Sequence, residues 1–135
     1  MTSGEAGAGR SVKPRIVLVV DDDDMIRRLV RTVLEADDYE VVEARNGDIA
    51  LELANQAHPA VVLLDIMMPG IDGVEVCRRL DHRAVKVIIL TARDDPALED
   101  ACREAGADAF LTKPFSSVEL LDLVAGFAAQ APPAS

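Results

Sequence analysis

Ile16-Val17-Leu18-Val19-Val20-Asp21-Asp22-Asp23-Asp24 decides the fold: five aliphatic residues run without a polar interruption into four carboxylates. A short apolar run rich in Val and Ile is the pattern of a strand covered on both faces, as in a parallel sheet. The arrangement recurs downstream, where Val61-Val62-Leu63-Leu64 leads into Asp65 and Val87-Ile88-Ile89-Leu90 leads into Thr91. Ligands of open parallel sheets bind beyond the carboxyl ends of the strands. These acids and this hydroxyl therefore stand where chemistry is expected.

Working outward, strand and helix patterns alternate five times, with strands near 15–20, 40–44, 60–64, 86–90 and 108–111. The first helix presents Ile26, Leu29, Val30, Val33 and Leu34 at the spacing of one apolar face, and the second presents Ile49, Ala50, Leu53, Ala54 and Ala57. A third helix near 73–81 offers Val74, Cys77 and Leu80. Asp95-Pro96 is a cap followed by proline in the first turn of the fourth helix, which Gly106 ends. Ser116-Ser117-Val118-Glu119 is a capping box opening the fifth, with Leu120, Leu121, Val124 and Phe127 facing inward. Five such units predict an α/β, doubly wound, (βα)5 flavodoxin-like three-layer sandwich whose parallel strands lie in the order 2-1-3-4-5. That order puts the switch point between the first and third strands, so Asp21, Asp22 and Asp65 converge.

At 135 residues the chain suits one domain, expected over 14–129 between disordered tails at 1–13 and 130–135. The stretch Gly4-Glu5-Ala6-Gly7-Ala8-Gly9-Arg10-Ser11 approaches a P-loop but fails, because Arg10 replaces the needed Lys, no strand precedes it and Pro14 follows. A net charge of -10 argues against direct nucleic-acid binding and against anionic membrane surfaces. Cys77 and Cys102 read as buried packing residues in a reducing compartment, and with neither a signal peptide nor a spanning segment the expected location is cytoplasmic. His58 and His82, remote from any Cys or His cluster, read as surface loop residues. Asp72 and Gly73 read as the start of the third helix, Gly70 as a turn, and Asp23 or Asp24 as a cap of the first helix.

Two carboxylates about 5 Å apart repel by roughly 3 kcal/mol at an effective dielectric near 20, so three together call for a counter-charge. Mg²⁺ answers with its preference for carboxylate, water and phosphate oxygens. The crowding also predicts that neutralising Asp22 or Asp65 raises metal-free stability. Thr91 can donate from the end of the fourth strand, and Lys113 after the fifth supplies a mobile cation. A carboxylate in that setting is a competent nucleophile toward phosphorus.

The chain resembles the receiver domain of bacterial two-component response regulators, with a chemotaxis-regulator-like fold. The resemblance covers about residues 15–128 and is carried by Val19-Val20-Asp21-Asp22, Leu64-Asp65-Ile66-Met67-Met68-Pro69-Gly70-Ile71-Asp72-Gly73, Thr91-Ala92 and Lys113-Pro114-Phe115, in that order. It implies that Asp65 accepts a phosphoryl group from a histidine kinase or phosphotransfer protein. It further implies that Asp22 ligates Mg²⁺ with Asp21 beside it and Asp65 and the Met67 carbonyl completing the site, and that Thr91 and Lys113 bind the phosphoryl oxygens. Phe110 would be the aromatic switch partner of Thr91, the Lys113-Pro114 bond would be cis, and a downstream protein would read the surface of the fourth helix, fifth strand and fifth helix. On this reading the domain is not an enzyme, although it assists its own phosphorylation and autodephosphorylation.

Three rival readings fit these residues less well. A haloacid-dehalogenase-type phosphatase also follows a strand with Asp-x-Asp, yet Met25 stands where that pattern has Thr or Val, the chain is short for it, and Asp65 is left unexplained. A nucleotide- or flavin-binding module lacks a glycine-rich loop after the first strand. A degenerate receiver kept as a scaffold is at odds with intact Asp22, Asp65, Thr91 and Lys113. No output segment is read within these residues, and a stand-alone regulator and a domain of a longer protein both stay open.

Overall fold

The computed structural model describes residues 15–68, 72–92 and 95–130. Its elements are β1 (Ile16–Val20), α1 (Asp24–Glu35), β2 (Glu40–Ala44), α2 (Gly47–Ala57), β3 (Val61–Asp65), α3 (Gly73–Arg79), β4 (Lys86–Thr91), α4 (Pro96–Glu104), β5 (Ala109–Thr112) and α5 (Ser117–Ala128). The strands form one parallel sheet in the order 2-1-3-4-5. The uninterrupted apolar runs are explained by burial on both faces. Leu18, Val20, Val62, Leu64, Val87 and Ile89 pack beneath α2, α3 and α4, while Val17, Val19, Val61, Leu63, Ile88 and Leu90 pack beneath α1 and α5. The expectations placed on residues 1–13, 131–135 and the Pro69-Gly70-Ile71 turn lie outside the described residues.

Strand boundaries fall one residue later than expected at the edge that matters. Asp65 is the last residue of β3, in register with Leu90, and Thr91 is the last of β4, in register with Thr112. Both are thus held by the sheet rather than by a loop. Helix α3 stops at Arg79, short of the expected 81, because Leu80 turns to an extended conformation. Leu29 departs from the expected apolar face: it is 44% exposed, beside Met25 at 76%. The sheet covers only the strip of α1 centred on Val30 and Leu34, and Leu29 falls on its border.

The helix ends follow the chemistry of their residues. Asp23, Asn46, Asp72 and Asp95 cap α1 to α4 through side-chain oxygens, and Ser116 and Glu119 complete the reciprocal box at α5. Gly106 stands at φ 112 after α4, where its N–H bonds Arg103 and that of Ala107 bonds Cys102, closing a Schellman turn. The same two bonds recur after α1, from Asp38 to Glu35 and from Tyr39 to Leu34, with Asp38 at φ 67. Asp38 is strained there and its charge opposes the helix C-terminus. Asp38→Gly should therefore stabilise the domain by about 0.5–1 kcal/mol, read as a higher urea midpoint. A lower midpoint would contradict this account of the turn.

Cys77 and Cys102 are fully buried free thiols. Burial pushes the Cys77 thiol up to about 12 and raises that of Cys102, as suits inert packing residues. His82 corrects an expectation, for it is half-buried rather than a surface loop residue. Its Nε2 lies 2.6 Å from the Cys77 carbonyl and its ring fills the space beside Gly106. His58 is exposed, as expected, and forms the left-handed end of α2.

Candidate functional site

The carboxyl ends of β1, β3 and β4 and the loop after β5 bring four side chains together. Asp21, immediately after β1, is fully buried; its N–H donates to the Ala44 carbonyl at 3.1 Å, tying it to the end of β2. Its Oδ1 accepts from the Asp23 N–H at 2.9 Å and its Oδ2 from Lys113 Nζ at 2.7 Å. Asp65 is 4% exposed; Oδ1 accepts from the Met67 N–H at 2.9 Å and Oδ2 lies 3.5 Å from Lys113 Nζ. Asp22 is exposed at the rim, and oxygens of Asp21, Asp22 and Asp65 lie within 4.8 Å of one another. The convergence read from strand order is thereby observed.

Lys113 does more than stand beside Asp65. Its shorter contact is to Asp21, so its ammonium bridges two buried carboxylates. Its backbone N–H donates to the Thr91 carbonyl at 2.7 Å, which fastens the loop after β5 to the end of β4, and the Lys113-Pro114 bond is cis. Burial would lower the ammonium pKa, but the hydrogen bond to Asp21 and the charge of Asp65 raise it above its ordinary value. Burial pushes the Asp65 carboxyl up, aided by Asp21 and opposed by the Met67 N–H and Lys113. Three carboxylates facing one ammonium leave a net negative pocket of hard oxygen donors, which fits a small divalent cation such as Mg²⁺.

Thr91 is 5% exposed at the pocket edge. Phe110 pairs with Ile89, two residues before Thr91, so it lies one pleat below Thr91 on the same face of the sheet. It is half-buried, and the Arg103 guanidinium stacks over its ring at 4.7 Å. The Met67 side chain is 66% exposed, and its backbone approaches the pocket through the N–H on Asp65. Of the four successive aspartates, Asp21 and Asp22 serve the pocket, Asp23 caps α1 and Asp24 pairs with Arg27.

Gly73 has a stricter role than starting a helix. A β-carbon there would sit 2.5 Å from the Ile66 Cα, backbone against backbone, directly after Asp65. Gly73→Ala should cost about 2–3 kcal/mol of stability and displace the chain following Asp65. Thermal unfolding of the variant measures the first, and a loss below about 0.5 kcal/mol would show that α3 can shift freely.

Sequence reasoning missed Arg27. Its Nη1 donates to the Asp21 carbonyl at 2.7 Å, its Nε to Glu43 Oε1 at 3.0 Å and its Nη2 to the Asp24 carboxylate. The one available signal was a cation in the first turns of a helix, where the dipole disfavours it unless carboxylates answer it.

A doubly wound α/β domain with an acidic, lysine-bridged pocket at its switch point suits a hard cation better than the phosphates of a nucleotide, which its carboxylates would repel. The model of the response regulator receiver domain family matches residues 17–125. The transcriptional regulatory protein ResD of Bacillus subtilis is 45% identical over 78% of this chain and 44% of its own length. Among solved structures, chemotaxis protein CheY4 of Vibrio cholerae superposes with a TM-score of 0.80 at 30% identity, covering 84% of this chain and 98% of that one. The receiver domain of the Francisella response regulator 1452 gives 0.78 at 34% identity, covering 86% and 98%.

The chain belongs to the response regulator receiver domain family of two-component signalling. Such domains are signalling domains that interact with histidine kinases, and nothing in the fold or the comparisons favours the phosphatase alternative. The chain spans less than half the length of the curated relatives it matches. Among the described residues no helix is long and apolar enough to cross a membrane.

Proposed function

We propose that Asp65 is the phosphoacceptor and that Asp21, Asp22, Asp65 and the Met67 carbonyl hold Mg²⁺. The observation that carries this is the Lys113 ammonium bridging Asp21 and Asp65 in a pocket where Asp65 ends its strand. One Asp65 oxygen is held by the Met67 N–H, and the other faces Lys113. In the transfer an Asp65 oxygen forms the new O–P bond as the P–N bond of a kinase phosphohistidine breaks, and the imidazole leaves. Mg²⁺ would supply charge neutralisation at the phosphoryl oxygens. Lys113 and the Thr91 hydroxyl take the remaining oxygens, and the same groups assist autodephosphorylation. The partners are a sensor histidine kinase or phosphotransfer protein and, downstream, a protein reading α4, β5 and α5; the net charge of -10 speaks against direct contact with nucleic acid or an anionic membrane surface, and the two buried free cysteines suit a cytoplasmic domain. Acetyl phosphate with Mg²⁺ should raise the intact mass by one phosphate, as an acid-labile product that does not form when the metal is chelated beforehand. Uptake that is indifferent to chelation would remove the metal from the proposal.

The readout follows from the register of β4 and β5. Phosphate on Asp65 offers new acceptors that draw the Thr91 hydroxyl toward it and open space for Phe110, one pleat away, to turn inward. That turn breaks the Arg103 stacking, worth about 0.5–1 kcal/mol, which phosphate must offset. Thr91→Ala should still accept phosphate but transmit it poorly, and Phe110→Ala should weaken a partner's discrimination between the two forms. Amide chemical shifts with beryllofluoride test the relay: pocket residues shifting while positions 95–120 stay unchanged would refute it.

A further inference from the structure

The Arg27 guanidinium is 12% exposed and every one of its nitrogens is engaged, with β2 through Glu43, with the first turn of α1 through Asp24 and with the end of β1 through the Asp21 carbonyl. Arg31 holds the second Glu43 oxygen at 2.6 Å, so Glu43 is itself fixed. The Asp21 carbonyl lies in the peptide plane that it shares with the Asp22 N–H. With the Asp21 N–H bonded to Ala44 and its carbonyl bonded to Arg27, both peptide planes flanking Asp21 are set. Asp22 is exposed at the rim, so what this peptide sets is the direction of its Cα–Cβ bond, from which the carboxylate reaches toward those of Asp21 and Asp65. We propose that Arg27 is a positioning residue for the metal pocket: it fixes the Asp21-Asp22 peptide and thereby the direction of the rim carboxylate that completes the Mg²⁺ site. The inference rests on the metal reading above and extends it to a residue outside the acidic cluster.

Charge and position predict opposite signs for the loss of Arg27. As a nearby cation it competes with Mg²⁺, so removal would tighten binding; as a positioning group it preorganises Asp22, so removal weakens binding. Asp24 and Glu43 already offset its charge, which leaves position as the larger effect. Calorimetric Mg²⁺ titration of the parent, Arg27→Ala and Arg27→Lys, alongside the metal-free amide shift of Asp22, separates the two. Affinity should fall about tenfold in Arg27→Ala, the size common for groups behind a metal ligand, with Arg27→Lys between them and the Asp22 amide displaced in both. Arg27→Ala binding Mg²⁺ as tightly as the parent, or more tightly, overturns the proposal while leaving the metal reading intact. Should Arg27→Ala fail to fold, an unchanged affinity in Arg27→Lys overturns it equally. A parent that binds no Mg²⁺ ends both readings.

Discussion

Lys113→Ala should lower metal-free stability by about 3 kcal/mol and make Mg²⁺ far more stabilising than it is in the parent. The reason is the bridge: Nζ sits 2.7 Å from Asp21 and 3.5 Å from Asp65, and both carboxylates are nearly closed off from water. Without the ammonium both buried carboxylates lose their counter-charge, and removing one partner of a buried ion pair costs roughly 3 kcal/mol or more. A divalent cation then becomes their one strong counter-charge. Urea unfolding with and without Mg²⁺ gives both quantities. A variant as stable as the parent without metal would mean that water already screens the pair.

Asp65→Asn should abolish phosphate uptake and, without metal, raise stability by about 1–2 kcal/mol, a melting temperature higher by several degrees in a domain of this size. The sign follows from linkage. Burial and Asp21 hold the Asp65 carboxyl above its ordinary 3.8, so the fold binds this proton more tightly than the unfolded chain does. Its favourable contribution is present at acid pH and is lost as pH rises through the raised value. The gap between Asn and parent should therefore be small in acid and open toward neutrality. Asp22→Asn, equally expected from the sequence to stabilise, should do so much less, because the structure puts Asp22 at the exposed rim. Similar gains from both would show that the three carboxylates crowd alike.

What the sequence made legible was what local chemistry dictates. The apolar runs ending in Asp21, Asp65 and Thr91, the Asp95-Pro96 start and the Ser116-Glu119 box each depend on a few neighbouring residues, and each stands as read. Strand order followed from five alternating units, and with it the meeting of Asp21, Asp22 and Asp65. What stayed hidden depends on distances between elements far apart in the chain. Lys113 was placed beside Asp65, yet nothing local says that a residue 92 positions from Asp21 takes the shorter bond there. Arg27 spans β1, α1 and β2, Gly73 is required by the approach of Ile66, and His82 is drawn in by the space over Gly106. Leu29 matches the helical period but lies on the border of the strip that the sheet covers.

The proposal that Asp65 carries the signal is tested most directly by locating the phosphate. After reaction with acetyl phosphate and Mg²⁺, borohydride reduction of the acyl phosphate and peptide mass mapping should mark Asp65 alone, and the Asp65→Asn protein should carry no mark. A mark on Asp21 or Asp22, or undiminished labelling of Asp65→Asn, would contradict it.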